Sequence, residues 1–230
     1  MPTLRIEKKF EIDQRKEHVF LEWLWHRSRF LKHHPKRWIF SIYFDTPGRK
    51  SLGDNLIGIS NRDKFRLRWY SENKQLGMSP NQIRAELKYR RNSLGGKNVF
   101  EFTKEQSKEI VGSHFRLPSH MLEDLQDEIS LPGYFFNCSP VIQVCYCRDY
   151  YIDEAGVRLT VDKQISFSDC CFSKPKNIHW HPFTKSVVEV KYSPILSSHA
   201  NILLSGLPLR TVRNSKYVSG AAVLGDCTYL

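Results

Sequence analysis

Strand-length segments that carry charge on one face and hydrocarbon on the other recur along this chain, and that pairing limits what it can fold into. Residues 4–12, LRIEKKFEI, set Leu4, Ile6, Phe10 and Ile12 against Arg5, Glu7, Lys9 and Glu11. Successive side chains of a strand point to opposite faces, so this segment has one apolar and one charged side. Residues 63–70, DKFRLRWY, repeat the pattern, with Phe65, Leu67 and Trp69 alternating with Lys64, Arg66, Arg68 and Tyr70. Further strands are expected at 38–44, 83–90, 141–151, 156–168 and 186–192. Asp13 reads as the N-cap of a helix reaching Leu31, with Val19, Phe20, Trp23, Leu24 and Phe30 as its apolar stripe. A short helix is expected at 48–57. Thr103 and Gln106 form a capping box for a helix stopping near Gly112, and two more helices are expected at 118–129 and 195–205. Residues 71–82 and 169–182 read as loops. Strands this charged do not suit a buried parallel sheet. The expected fold class is α+β, an antiparallel β-barrel with helices packed outside, in a single domain over 1–230.

The charged faces decide what such a barrel is for. They collect Glu7 and Lys9; Arg66 and Arg68; Glu86, Lys88 and Arg90; Arg148; Arg158, Thr160 and Asp162; and Glu189 and Lys191. One such face alone reads as the solvated side of a sheet. Repetition on five or more strands, each with an apolar opposite face that must pack against something, points the charge inward. Two like charges roughly 7 Å apart, at an effective dielectric near 20, cost about 2–2.5 kcal/mol. Several such pairs weigh heavily against a net stability of about 5–15 kcal/mol. A bound polyanion offsets that cost, so a cationic interior predicts a ligand. Arginine's planar fork matches phosphate oxygens two at a time, and lysine adds a mobile point charge. The carboxylates Glu7, Glu86, Asp162 and Glu189 oppose an anion directly. They make sense as ligands of a hard cation, Mg²⁺ or Mn²⁺, that bridges to phosphate.

The bulk properties agree. Net charge is +11 and the isoelectric point is near 9.4, which suits an anionic partner. The basic residues fall at strand alternation rather than in an exposed stripe interleaved with aromatics, so nucleic acid is not expected as partner. No apolar run has the length to span a bilayer, and the first residues lack a secretory signal's apolar core. Cys138, Cys145, Cys147, Cys170, Cys171 and Cys227 contain no CxxC pair and read as reduced packing thiols, which fits a cytoplasmic protein. His33-His34 is expected at a helix end, complementing its dipole, and His179 and His181 as surface residues of a loop.

An ordered set of short motifs carries a resemblance. RIEKKF at 5–10, YFDT at 43–46, KFRLRWY at 64–70, ELK at 86–88, RDY at 148–150, VRLTVD at 157–162, VEVKY at 188–192 and SKY at 215–217 span nearly the whole chain. In this order they resemble the VTC domain, the polyphosphate polymerase branch of the triphosphate tunnel (CYTH-like) superfamily. The resemblance implies an eight-stranded antiparallel tunnel binding ATP, another triphosphate or polyphosphate. It implies Lys9, Arg66, Arg68, Lys88, Arg148, Arg158, Lys191 and Lys216 as phosphate ligands, with Arg90 and Ser215 beside them, and Glu189 as principal ligand of Mn²⁺ or Mg²⁺. The implied reaction is transfer of the terminal phosphoryl of ATP to a polyphosphate chain.

Two departures matter. Tunnel enzymes that hydrolyse triphosphates begin with an ExExK strand, whereas Arg5 stands first here and leaves only Glu7. The late strand carries Glu189-Val190-Lys191 rather than a paired ExE. Fewer carboxylates favour transfer or binding over activation of water. The alternatives are a triphosphatase of the same superfamily and a non-catalytic polyphosphate-binding module. The regulatory N-terminal domain and membrane helices of eukaryotic family members are not in this sequence; a membrane-bound partner subunit is compatible with it.

Overall fold

In the computed structural model, which describes residues 5–26, 29–75, 77, 80–92, 94–170 and 178–226, the alternating segments become antiparallel strands. Leu4, Cys171 and Cys227 lie outside the described residues. The strands are β1 (Ile6–Asp13), β2 (Leu31–Asp45), β3 (Arg62–Ser71), β4 (Arg84–Arg91), β5 (Leu94–Glu101), β6 (Ser139–Ile152), β7 (Arg158–Asp169), the short β8 (His181–Pro182) and β9 (Lys185–Tyr192). The helices are α1 (Glu17–His26), α2 (Lys50–Leu56), α3 (Lys104–Gly112), α4 (Ser119–Ile129), α5 (Ser197–Leu203) and α6 (Lys216–Val223). Eight strands follow the hydrogen-bonded order β1-β9-β7-β6-β2-β3-β4-β5, with β8 beside β7. The expected α+β class and its antiparallel sheet are therefore present. No helix among the described residues is long and apolar enough to cross a membrane.

The chain packs as two compact units, and β2, β6 and β7 contribute residues to both. The first comprises 1–37, 146–165 and 182–215. Its core joins Phe10 and Ile12 of β1, Val157, Leu159 and Val161, and Val188 and Val190 of β9 to Phe20, Trp23 and Leu24 of α1 and Ala200 and Leu203 of α5. The second comprises 38–145, 166–181 and 216–230. There Phe40, Ile42, Phe65, Leu67, Trp69 and Leu87 pack against Ile110 of α3 and Met121, Leu122 and Leu125 of α4. In each unit the helices cover the apolar strand face, because that side alone repays burial. The charged side chains occupy the opposite face.

Three local expectations change. The helix after Asp13 is a 3₁₀ turn at Gln14–Lys16 followed by α1, and it ends at His26. Asp13 does cap it, accepting the Arg15 N–H at 2.9 Å. Pro35 disfavours helix around it, and β2 begins at Leu31, so His33 and His34 lie in a strand and not at a helix end. β5 was hidden by Gly95 and Gly96. A side chain at Gly96 would place Cβ 2.3 Å from the Tyr89 ring, its partner across the ladder, so glycine fits there for a reason of contact. α6 is an element that the sequence pattern does not predict. Its Gly220 weakens helix propensity but lets the helix approach Phe167 and Ile142, where a Cβ would sit at 2.8 and 3.0 Å.

The Thr103 capping box is present: the Thr103 hydroxyl accepts from the Gln106 N–H at 3.2 Å, and Gln106 Oε1 accepts from the Thr103 N–H at 2.9 Å. Thr103→Ala is expected to cost about 1 kcal/mol, read as a lower denaturant midpoint at unchanged slope. Cys138 and Cys145 are thiols whose burial pushes their pKa up to about 12, which makes them inert.

Candidate phosphate and metal site

In the first unit, strand register sorts the charged face into rows. Glu7 of β1 lies opposite Lys191 of β9, which lies opposite Arg158 of β7. One rung along, Lys9, Glu189 and Thr160 align; one further, Glu11, Val187 and Asp162. Across β1 and β9 the first two rows pair carboxylate with cation, the arrangement that cross-strand pairing favours, whereas Lys191 and Arg158 are like charges directly opposite each other. Lys9 Nζ is 2.9 Å from Glu7 Oε1 and donates to the Asn214 carbonyl at 3.0 Å. Lys191 Nζ stands between two carboxylates, 2.5 Å from Glu189 Oε1 and 3.8 Å from Glu7 Oε2. Arg148 forks onto Asp162, Nε to Oδ1 at 2.5 Å and Nη2 to Oδ2 at 2.8 Å, and its Nη2 is 4.0 Å from Glu189. The Arg148 guanidinium also lies over the Tyr146 ring.

Burial and charge compete at each group. For Glu189, burial would raise the pKa, but Lys191, then Lys9 and Arg148, outweigh it and hold the carboxyl well below its usual range. For Arg148, burial pulls down while Asp162, then Tyr146 and Glu189, raise its pKa further above its already high value. The segment before α6 is fixed to β1: Val212 N–H donates to the Lys9 carbonyl at 2.8 Å, and the Asn214 amide to Glu11 Oε1 at 3.0 Å. That contact sets the position of Ser215, the next residue.

In the second unit Glu86 is the hub. It is 1% exposed, and Arg66 faces it directly across β3 and β4. Its Oε2 accepts from Arg66 Nε at 2.8 Å and Nη2 at 2.5 Å, with Arg68 Nη1 at 3.5 Å; its Oε1 accepts from Lys97 at 2.9 Å. Burial alone would raise the Glu86 pKa; Arg66, Arg68 and Lys97 overcome this and push it far below the normal range. Arg66 Nη1 donates to the Tyr43 hydroxyl at 3.2 Å, and Arg68 Nε to the Ser41 hydroxyl at 3.0 Å. Burial would also raise the Tyr43 pKa, yet Arg66, Arg68 and Lys216 lower it overall, so three cations act on this phenol. Lys88 is exposed and lies in register between Lys64 and Lys97, a row of three ammonium groups. Arg90 lies a rung further, opposite Arg62, and donates to the Asn92 carbonyl at 2.8 Å near the hairpin turn.

The predicted residues therefore fall into two sets. Glu7, Lys9, Arg148, Arg158, Asp162, Glu189, Lys191 and Ser215 belong to the first unit; Arg66, Arg68, Glu86, Lys88, Arg90 and Lys216 belong to the second. Lys64 and Lys97, which register makes neighbours of Lys88, and Tyr43, which accepts a hydrogen bond from Arg66, add to the predicted set. The place of Asp45 is structural. Asp45 is fully buried; Oδ1 accepts the Thr46 and Ser51 N–H groups, and Oδ2 accepts the Leu52 N–H and the Tyr217 hydroxyl. It thereby caps α2 and fixes the α6 turn that carries Lys216. Asp45 to Tyr217 is a long sequence separation, and no local pattern signals it.

A divalent ion is implied by the carboxylates, and the donor set can be tested. Among the described residues no three His, Cys, Asp or Glu side chains gather as a metal cluster. Asp162 and Glu86 each give both oxygens to arginine or lysine. Glu7 and Glu189 flank one ammonium, a position where a cation already resides. Two carboxylates are the number that Mg²⁺ uses when phosphates and water complete its shell, so Glu7 and Glu189 fit such an ion.

Three solved structures share this chain's fold. The first is HpAC1 from Hippeastrum, assigned as an adenylyl cyclase and found to have a dominant triphosphatase activity. It is 16% identical at a TM-score of 0.52, over 97% of this chain and 96% of that one. A protein assigned as an adenylate cyclase from Vibrio parahaemolyticus is 12% identical at 0.51, over 98% and 99%. The PH1819 protein from Pyrococcus horikoshii is 14% identical at 0.50, over 97% and 100%. No curated protein matches the sequence. The fold is thus one shared with these three proteins. The VTC domain profile matches residues 4–225, and the chain belongs to the VTC domain family.

Proposed function

We propose that this protein binds triphosphate and polyphosphate on its charged strand faces and makes inorganic polyphosphate from ATP. The observation that carries the reading is the register of β1, β9 and β7, which interleaves Lys9, Lys191 and Arg158 with Glu7 and Glu189. Such rows suit a phosphate chain and a divalent ion together. In the transfer, a terminal oxygen of the polyphosphate attacks the γ-phosphorus of ATP. A new P–O–P bond forms, the bond to the β–γ bridging oxygen breaks, and ADP leaves. This chemistry asks for positioning and charge neutralisation more than for a protein nucleophile. Lys9, Lys191, Arg148 and Arg158 in one unit, and Arg66, Arg68, Lys88 and Lys216 in the other, are the proposed phosphate ligands. Arg90 and Ser215 are proposed as flanking contacts. Mn²⁺ or Mg²⁺ bound by Glu7 and Glu189 would neutralise charge on the phosphates. Glu86 and Asp162 are better suited to aiming arginines than to holding metal.

Hydrolysis is the second reading, favoured by the dominant triphosphatase activity of the Hippeastrum protein. Against it, lysine and arginine hold Glu86 and Glu189 well below the usual carboxylate range, which weakens them as bases toward water, and Asp162 gives both oxygens to Arg148. Incubation with ATP and Mn²⁺, resolved by phosphorus NMR and a polyphosphate gel, separates the two. Long chains plus ADP, lost in Arg66→Ala, are expected; free phosphate without chains would identify a triphosphatase. Neither product, with polyphosphate binding retained, would mean a binding module.

A further inference from the structure

The first seven residues of β2, Leu31–Arg37, are all exposed. They belong to a twelve-residue stretch at 26–37, HRSRFLKHHPKR, with five Lys or Arg, three His and no acidic residue. Ordering an exposed segment costs conformational entropy that burial does not repay here. What the strand displays is charge with aromatic rings set into it. The His33 and His34 rings are 3.9 Å apart, and His34 meets the edge of Tyr150 from β6 at 5.8 Å. Arg37 donates to the Tyr150 hydroxyl at 2.9 Å, with its guanidinium 5.0 Å from that ring's centroid. The charge of Arg158, on β7, acts on His34. Arg158 also ends the row that begins at Glu7 and Lys191. The basic strand is therefore electrostatically continuous with the candidate site of this unit.

We propose that the exposed half of β2 is a second binding segment, which holds a long inorganic phosphate chain beyond the stretch engaged by the strand rows. The choice of ligand rests on the phosphate-chain reading above. Lys32, Lys36 and Arg37 supply fixed charge, and His33 and His34 supply charge that depends on pH. In the free protein, desolvation and then His33, Arg37 and Arg158 lower the His34 pKa. The charges that act on His34 are His33 and Arg37 on its own strand and Arg158 on β7, and Tyr150 of β6 meets its ring. A bound polyanion reverses that balance and favours imidazolium. Affinity should therefore rise as pH falls through the histidine range, near 6.5.

The test compares long-chain polyphosphate with tripolyphosphate, by fluorescence anisotropy or calorimetry, at pH 8 and pH 6 and across a salt series. Lys32→Ser/Lys36→Ser is expected to weaken long-chain binding about 5–20-fold near 0.1 M salt and to reduce the log–log salt slope by about 1.4, leaving tripolyphosphate unchanged. Wild type is expected to bind the long chain about fivefold tighter at pH 6 than at pH 8, and His33→Gln/His34→Gln to lose most of that gain. Tripolyphosphate controls for protonation of terminal phosphates. Lys32→Arg/Lys36→Arg, with charge retained, should bind as wild type does. Equal weakening of both ligands, or no change in long-chain binding, would overturn the proposal, as would RNA bound through these residues in preference to polyphosphate. If wild type fails to bind tripolyphosphate while long-chain binding still depends on Lys32 and Lys36, the proposed function falls and this segment stands.

Discussion

Glu86→Ala is expected to lower the unfolding free energy by about 3–5 kcal/mol, the cost of removing one partner from a buried ion cluster. For a chain of this size that shifts the melting midpoint by about 6–20 °C. Glu86 is 1% exposed and satisfies Arg66, Arg68 and Lys97 at once. Without it, two largely buried guanidiniums face each other with no anion between them. Glu86→Gln keeps the shape and an acceptor for Arg66 but loses the charge, and should fall between wild type and Glu86→Ala. The sign with pH follows from the same contacts. The folded-state pKa of Glu86 lies below the usual 4.5, so its stabilisation is fully present above that value and is lost as pH falls toward the folded pKa. The stability gap between wild type and Glu86→Ala should therefore hold from neutral pH to about 5 and narrow in stronger acid. Ligand should act in the opposite sense. If Arg66 and Arg68 bind phosphate, tripolyphosphate replaces the missing carboxylate and raises the melting midpoint of Glu86→Ala by more than it raises wild type's. Equal shifts would place the phosphate elsewhere.

The parts of this molecule that were legible in the sequence are those in which local periodicity and long-range packing agree. Phe65, Leu67 and Trp69 alternate with Arg66 and Arg68, and the core of the second unit takes the first set while the second set faces Glu86, Ser41 and Tyr43. The same holds for Val188 and Val190 against Glu189 and Lys191. What alternation cannot give is register. That Lys9 lies opposite Glu189, or that Lys64, Lys88 and Lys97 share one row, depends on which strands pair and with what offset. Nor does a cationic pattern reveal how much of its repulsion is met internally: Asp162 holds both arms of Arg148, and Glu86 those of Arg66. Gly96 and Gly220 obscure the strand and helix that contain them, because they stand in close approach to Tyr89 and Phe167, where propensity penalises the residue that fits. The exposed half of β2 carries no strand signal, because its apolar residues stop at Leu31 and nothing in KHHPKR carries a period.

Glu189→Ala and Lys191→Ala are expected to move metal dependence in opposite directions, although the two residues are neighbours on one strand face. Glu189→Ala removes the proposed principal oxygen donor to the metal and should reduce Mn²⁺-supported turnover by about 100-fold or more, with a half-saturating Mn²⁺ concentration raised about 10–100-fold. Lys191→Ala removes the ammonium that stands 2.5 Å from Glu189 and 3.8 Å from Glu7. That ammonium competes with any divalent ion for the same oxygens, so its loss should lower the half-saturating Mn²⁺ concentration severalfold. Lys191 is also a proposed phosphate ligand, so the same variant should raise KM for ATP. A purely structural role for both residues would instead reduce turnover in parallel and leave the Mn²⁺ titration where it is in wild type. Glu7→Ala supplies the third point. It keeps Glu189 beside Lys191 and should weaken Mn²⁺ less than Glu189→Ala does, because Glu7 is the more exposed and the more distant of the two carboxylates from that ammonium.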